Sequence, residues 1–301
     1  MILALLTAWC FAASAVIGTR TSSLLGPAAA NLFRLSLAAI VLAAYAFVAG
    51  QGFDGPGLWV LMLSGLVGFG LGDSALFEAY KRIGSRRTIL LVQCLAVPFA
   101  GVVEWLWLGN TIPPAKLVWI ACILFGVWLV LHRRVESSPS PLTTTGVVGI
   151  VMGVVAAMGQ GGGAVLSRRA IELNQAAGFD IDGATAGFQR ILPGVIFAAL
   201  FFGGHQVWRV ASSRARAAVG GKRSRILALV AGNALAGPII GVSLYQWALI
   251  TTPSGIVLAI VATTPVFVMP LAWFIENDRP SWISLTGSVI AITGVIALLV
   301  F

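Results

Sequence analysis

Two carboxylates stand where a charge is hardest to keep. Asp73 and Glu78 lie in the apolar run 58–80, and an ionised side chain at the centre of a bilayer-spanning helix costs about 2.5–3.5 kcal/mol or more. Such a group can bind a cation or take up and release a proton. The alternative is a structural ion pair with Arg34, Lys81 or Arg82, and Glu78 is one turn from the basic cluster at 81–87. Five residues of helix turn through about 500°, so the two acids point about 140° apart and cannot both serve one small site. Arg34 and Arg190 each stand near the start of an apolar run. A guanidinium fork suits a carboxylate or similar anion, while a helix-end anchor is the structural alternative. Their positions put them near opposite membrane faces, where one central site would not use both. Gln93, Gln160, Asn233, Tyr245 and Gln246 add neutral hydrogen-bonding groups and complete, with the two acids, a candidate solute pathway. Tyr245 and Trp247 also fit an interfacial aromatic belt. Glu104 and Glu276 come late in their runs and read as side chains that reach the interface.

The backbone carries its own signals. Pro98 and Pro265 fall inside apolar runs, where each removes a helix hydrogen bond, and they are hinge candidates. Gln160 sits in Met-Gly-Gln-Gly-Gly-Gly (158–163), a run of poor helix propensity. It predicts either close helix packing or local unwinding, which is tolerated at membrane depth only against protein or a cavity. Gly65, Gly68, Gly70 and Gly72 precede Asp73 and allow another backbone to approach closely.

These residues must be positioned by membrane helices. The chain of 301 residues is 58% hydrophobic and only 10% charged, with a mean hydropathy of +0.97. Soluble domains carry about 25% charged residues, so an ordinary soluble fold is excluded. Apolar windows and turn signals predict ten spans, at 2–18, 31–49, 58–80, 88–108, 114–131, 146–167, 184–202, 226–249, 254–275 and 281–300. The first run lacks the basic start of a signal peptide and is read as the first span. Cys10, Cys94 and Cys122 lie in apolar stretches and read as free thiols, and His132 and His205 have no nearby ligand partner, so no metal site is expected. No His-rich cluster, Gly-x-Ser-x-Gly elbow or phosphate-binding loop is present. Neither an enzyme nor a cofactor is therefore expected. The net charge of +9 belongs to membrane-flanking loops rather than to a nucleic-acid partner.

The second half repeats the first. AWCFAASAVIGTR (8–20) aligns with AMGQGGGAVLSRR (157–169), and NLFRLSLAAIVLAAYAF (31–47) with GFQRILPGVIFAALFF (187–202), which sets Arg34 opposite Arg190. FEAYKRIGSRR (77–87) aligns with LYQWALITTPS (244–254), and Pro98 falls opposite Pro265. The polar stretch 132–145 is the seam. It divides the chain into a first repeat at 1–135, a linker at 136–145 and a second repeat at 146–301. An odd five spans per half makes the second copy enter from the opposite side, an inverted-topology repeat of the kind solute carriers use. Fourteen Lys and Arg fall on one face and three on the other, with Arg34 and Arg190 left out. The positive-inside rule puts the fourteen in the cytoplasm and both termini on the non-cytoplasmic side.

The tryptophan-bearing first helix, the arginines at 34 and 190 and the proline-kinked fourth helix resemble the drug/metabolite transporter superfamily, in its ten-helix EamA-like family, over nearly the whole chain. The family's fourth helix ends in a Gly-Glu turn. Here the copies read Gly109-Asn110 and Asn277-Asp278, which questions a general role for an acid at that turn. The resemblance implies an all-α integral membrane protein, ten transmembrane helices as two inverted five-helix repeats around a central cavity. It implies a secondary-active carrier in the cell membrane, a bacterial inner membrane, exporting a small metabolite such as an amino acid by alternating access. A multidrug or cationic-compound exporter is the alternative, and a non-transporting scaffold a weaker one. The expected partners are a small-molecule substrate, the lipid bilayer and protons as coupling ion.

Overall fold

In hydrocarbon every backbone N–H and C=O must find its partner within the protein, and this chain does so with helices. The computed structural model describes residues 1–108, 114–132, 144–209, 223–252, 254–276 and 281–300, and among them there is no strand. The elements are α1 (Ile2–Leu25), α2 (Pro27–Val48), α3 (Leu58–Gly65), a π-helical segment (Leu66–Gly72), α4 (Asp73–Leu108), α5 (Pro114–His132), α6 (Thr144–Ala176) and α7 (Gly183–Arg209). Then come α8 (Arg223–Ala234), a second π-helical segment (Leu235–Gly241), α9 (Val242–Thr251), α10 (Ser254–Val261), α11 (Thr264–Glu276) and α12 (Trp282–Val300). Asn110, Asp278 and most of the 133–143 and 203–225 connections lie outside the described residues, as do the side chains of Glu104, His132, His205 and Glu276.

Among the described residues, seven helical stretches are long and apolar enough to cross a membrane. One of them, Leu58–Val103, spans 46 residues, more than twice the roughly 20 that one crossing needs. It is divided at Gly84, whose φ of 78° and ψ of 170° leave the helical region. The break expected over 81–87 is thus a single residue. Lysine and arginine are good helix formers, and only the glycine interrupts the path. Arg86 and Arg87, expected as loop cations, are each only 2% exposed, with Arg86 Nη1 donating to Ser284 Oγ at 2.9 Å. Likewise α1 runs seven residues past the predicted end of the first span at residue 18, to Leu25. Gly26 alone, at φ 86°, then separates it from Pro27, the first residue of α2.

The surface is apolar, and the polar groups of the helices turn into an interior that is itself mostly apolar. Ile40, Val48, Trp59, Phe274 and Trp282 are largely exposed, while Asn31, Arg34, Gln93, Gln189 and Gln246 are buried. Small residues bring the helices together. On α6, Gly149, Gly153, Ala157 and Gly161 recur every fourth residue and are buried. Gly149 meets Ile83, Gly153 meets Leu91 and Gly161 meets the backbone of Ala96, so α6 lies along α4. The glycine run 158–163 does not unwind, because α6 is continuous through it. The irregular backbone is instead at 66–72 and 235–241, where glycines and Pro238 weaken the α-helical ladder.

The two prolines paired by sequence occupy different settings. Pro98 is inside α4. Pro265 is the second residue of α11, just after the turn at Ala262–Thr263 that separates it from α10.

Candidate functional site

The two π-helical segments read Leu-Val-Gly-Phe-Gly-Leu-Gly (66–72) and Leu-Ala-Gly-Pro-Ile-Ile-Gly (235–241), sharing Leu, Gly and Gly at the same spacing. Each supplies a glycine against which an arginine from the other half of the sequence lies. A Cβ added to Gly68 would stand 3.1 Å from Arg190 Nη2, and one added to Gly237 would stand 2.9 Å from Arg34 Nη1. Gly65 abuts the backbone of Arg190 itself, so no side chain fits there. Flanking bonds tie the same elements. Ser64 Oγ donates to the Gly163 carbonyl at 2.7 Å and lies 2.8 Å from Ser167 Oγ. Ser14 Oγ donates to Asn233 Oδ1 at 2.7 Å.

The result is a cavity of about 90 Å³ between the two segments, lined from α1 by Phe11 and Ser14, from α2 by Arg34 and from α7 by Arg190. The rest of its wall comes from Gly68, Phe69 and Gly237 of the π segments, from Asp73, Leu76, Tyr80, Ile89 and Gln93 of α4, from Gln160 of α6, and from Val242 and Tyr245 of α9. That volume holds a few water molecules or a small solute. Arg34 and Arg190 were expected at opposite faces; the cavity reaches both, because each side chain extends from its helix toward the opposing π segment.

The charges are unevenly matched. Arg34, 5% exposed, makes a salt bridge with Asp73, donates to Asn31 Oδ1 at 3.1 Å and lies 4.7 Å from the centre of the Phe77 ring. Arg190, 6% exposed, lies 5.3 Å from the centre of the Phe69 ring and makes no hydrogen bond or ion pair among the described residues. The Tyr245 hydroxyl, also on the cavity wall, is buried without a hydrogen-bond partner among those residues. Opposite, Gln160 Nε2 donates to Gln93 Oε1 and ties α6 to α4 across the wall.

Of the residues singled out by sequence, Asp73, Gln93, Gln160, Tyr245, Arg34 and Arg190 meet in this cavity. Tyr245 is 4% exposed, an interior residue rather than a belt residue, whereas Trp247 is 37% exposed. Asn233 and Gln246 are buried behind the wall, Asn233 holding Ser14 and Gln246 lying 3.5 Å from Ser167 Oγ. Glu78 points elsewhere, paired with Arg82 on a separate cavity beside Met152 and Phe197. Phe11, Ser14 and Phe69 were not anticipated. Their signal was the repeat itself, since Phe11 aligns with Gln160 and Phe69 is in the duplicated Leu-x-Gly segment.

No curated protein matches the chain. Among solved structures, one titled only as the crystal structure of a protein superposes with a TM-score of 0.60 at 18% identity, covering 97% of this chain and 94% of that one. At that identity the likeness concerns the fold. The family model of the EamA-like transporters matches residues 1–132 and 147–300, so nearly every helix that builds the cavity falls within it. The chain belongs to the EamA-like transporter family of the drug/metabolite transporter superfamily, and is a multi-pass membrane transporter.

Proposed function

We propose that the protein is a secondary-active carrier that exports a small metabolite, of amino-acid size, by alternating access between two antiparallel five-helix halves. The observation that carries this reading is the composition of the cavity wall. Arg34 and Arg190 are repeat partners in sequence, Gly68 and Gly237 hold the same place in the two π-helical segments, Asp73 and Val242 directly follow them, and all six line one small chamber. A chamber shared by two inverted copies is reached from either face by rocking one copy against the other. The separate family matches at 1–132 and 147–300 support the division into repeats. Asp73 is the group through which protons would couple, as the acid on the wall. Large drugs fit this chamber poorly, since drug-sized ligands occupy pockets of about 300–1,000 Å³ and this cavity is about 90 Å³.

The test is efflux of a panel of labelled metabolites from proteoliposomes, with and without a pH gradient. Concentration-dependent movement of at least one small metabolite is expected. A panel that leaks no faster than from protein-free vesicles refutes the reading. Placement of both termini on the non-cytoplasmic side is checked by a periplasm-active reporter fused after Phe301.

A further inference from the structure

Two guanidinium groups and one carboxylate line the central cavity, and among the described residues only Arg34 forms a salt bridge there. Arg190 feels the Asp73 charge only beyond ion-pair distance; a buried cation without a close counter-ion is unfavourable in a membrane protein, and the ring of Phe69 supplies only a weak substitute. The Arg190 guanidinium is held by close backbone around it. Gly68 and Gly163 leave no Cβ between it and the packed helices, with added Cβ atoms standing 3.1 and 3.3 Å from Nη2. Arg190 and Tyr245 both line the cavity, and Arg190 Nε and the Tyr245 hydroxyl are buried with no hydrogen-bond partner among the described residues. Planar donors in a fork, plus a nearby O–H, are what a carboxylate accepts from.

Resting on the carrier reading, we infer that the transported solute is a compact monoanion whose carboxylate is received by Arg190 and Tyr245. With Asp73 ionised, Arg34 is paired with it and does not serve as a second receptor. The net charge of the wall, one cation in excess, is then balanced by a solute of charge −1 and left unbalanced by a zwitterion or a cation. The small volume limits the rest of the molecule to a few carbon atoms. Arg34 and Arg190, which the repeat makes equivalent, thereby differ in function because Val242 stands where Asp73 stands in the other copy.

The experiment uses the full chain purified in detergent. Thermal unfolding and calorimetric titration are run with acetate, lactate and butyrate as monoanions, alanine as zwitterion and ethanolamine as cation. At least one monoanion is expected to raise the melting temperature, as a ligand of the folded state does, with alanine and ethanolamine weaker. Arg190→Gln should weaken that Kd by about tenfold or more and Tyr245→Phe by about three- to tenfold, as expected for loss of a charged and a neutral hydrogen bond. Arg82→Gln, outside this cavity, should leave it unchanged. Stronger binding of alanine or ethanolamine, an equal Kd in Arg190→Gln, or no response to any monoanion overturns the inference. If the metabolite panel is exported equally by wild type and Arg190→Gln, the anion site fails and the carrier reading stands. If the monoanions bind but nothing moves, the carrier reading fails and the anion site stands.

Discussion

The two π-helical segments are alike in backbone and unlike in the residues immediately C-terminal to them. After Gly72 comes Asp73, and four residues beyond Gly72 stands Leu76; after Gly241 comes Val242, and four residues beyond Gly241 stands Tyr245. All four side chains line the same cavity. One copy thus contributes a carboxylate beside an alkyl group, the other an alkyl group beside a hydroxyl. The same division extends to the first helices of each half, where Phe11 and Ser14 stand opposite Gln160 and Gly163. The shared features are those that let backbones approach: the glycines and the arginines lying on them. Nearly all the differences fall on residues of the cavity wall. The two segments share one backbone frame, and the residues that follow it fill the cavity asymmetrically.

Breaking the asymmetry at Asp73 has the largest expected effect. Asp73→Asn leaves Arg34 buried without its counter-ion, a loss of about 3–5 kcal/mol for a buried pair. Detergent unfolding should show it, and pH-gradient-driven flux in proteoliposomes should vanish if Asp73 couples protons; unchanged flux with unchanged pH dependence would remove that assignment. The shared frame is tested next by Gly65→Ala. Its Cβ would run into the Arg190 backbone, and overpacking of this kind costs about 1–3 kcal/mol, visible as a lower melting temperature. Val242→Asp restores symmetry by placing a carboxylate at the Asp73 register. It is expected to neutralise Arg190 and weaken monoanion binding about tenfold, roughly 1.4 kcal/mol, while a gain in binding would show that Arg190 is not the receptor. The smallest effect belongs to Glu78→Gln. The Glu78–Arg82 pair is spaced i,i+4 and about a quarter exposed, and such pairs contribute about 0.3–0.5 kcal/mol; a loss of transport here would move the pathway toward the second cavity.

Most of the polar side chains on the candidate wall were legible from residue type alone, because a polar side chain in an apolar run has few places to go. Asp73, Gln93, Gln160, Arg34 and Arg190 stood out on that ground. Asn233 and Gln246 satisfied the same criterion and yet lie behind the wall, since burial against protein and burial against a cavity look identical along the chain. Phe11 and Phe69 were missed for the converse reason: an aromatic among apolar residues carries no contrast. Helix ends were misplaced where charge was taken as a sign of a loop. Arg86 and Arg87 lie in helix and are buried; Arg86 hydrogen-bonds Ser284 inside the protein and so needs no contact with water.

Composition was enough to establish a helical membrane protein, since an apolar solvent leaves the backbone no other local way to pair its polar groups. Repetition in the chain was enough to pair Arg34 with Arg190. What required the folded arrangement was that both reach one chamber, and that Asp73 forms its salt bridge with the first and not the second. Those facts depend on which helices cross and at what depth, and the crossings are set by glycine contacts such as Gly65 on Arg190, between residues more than a hundred positions apart.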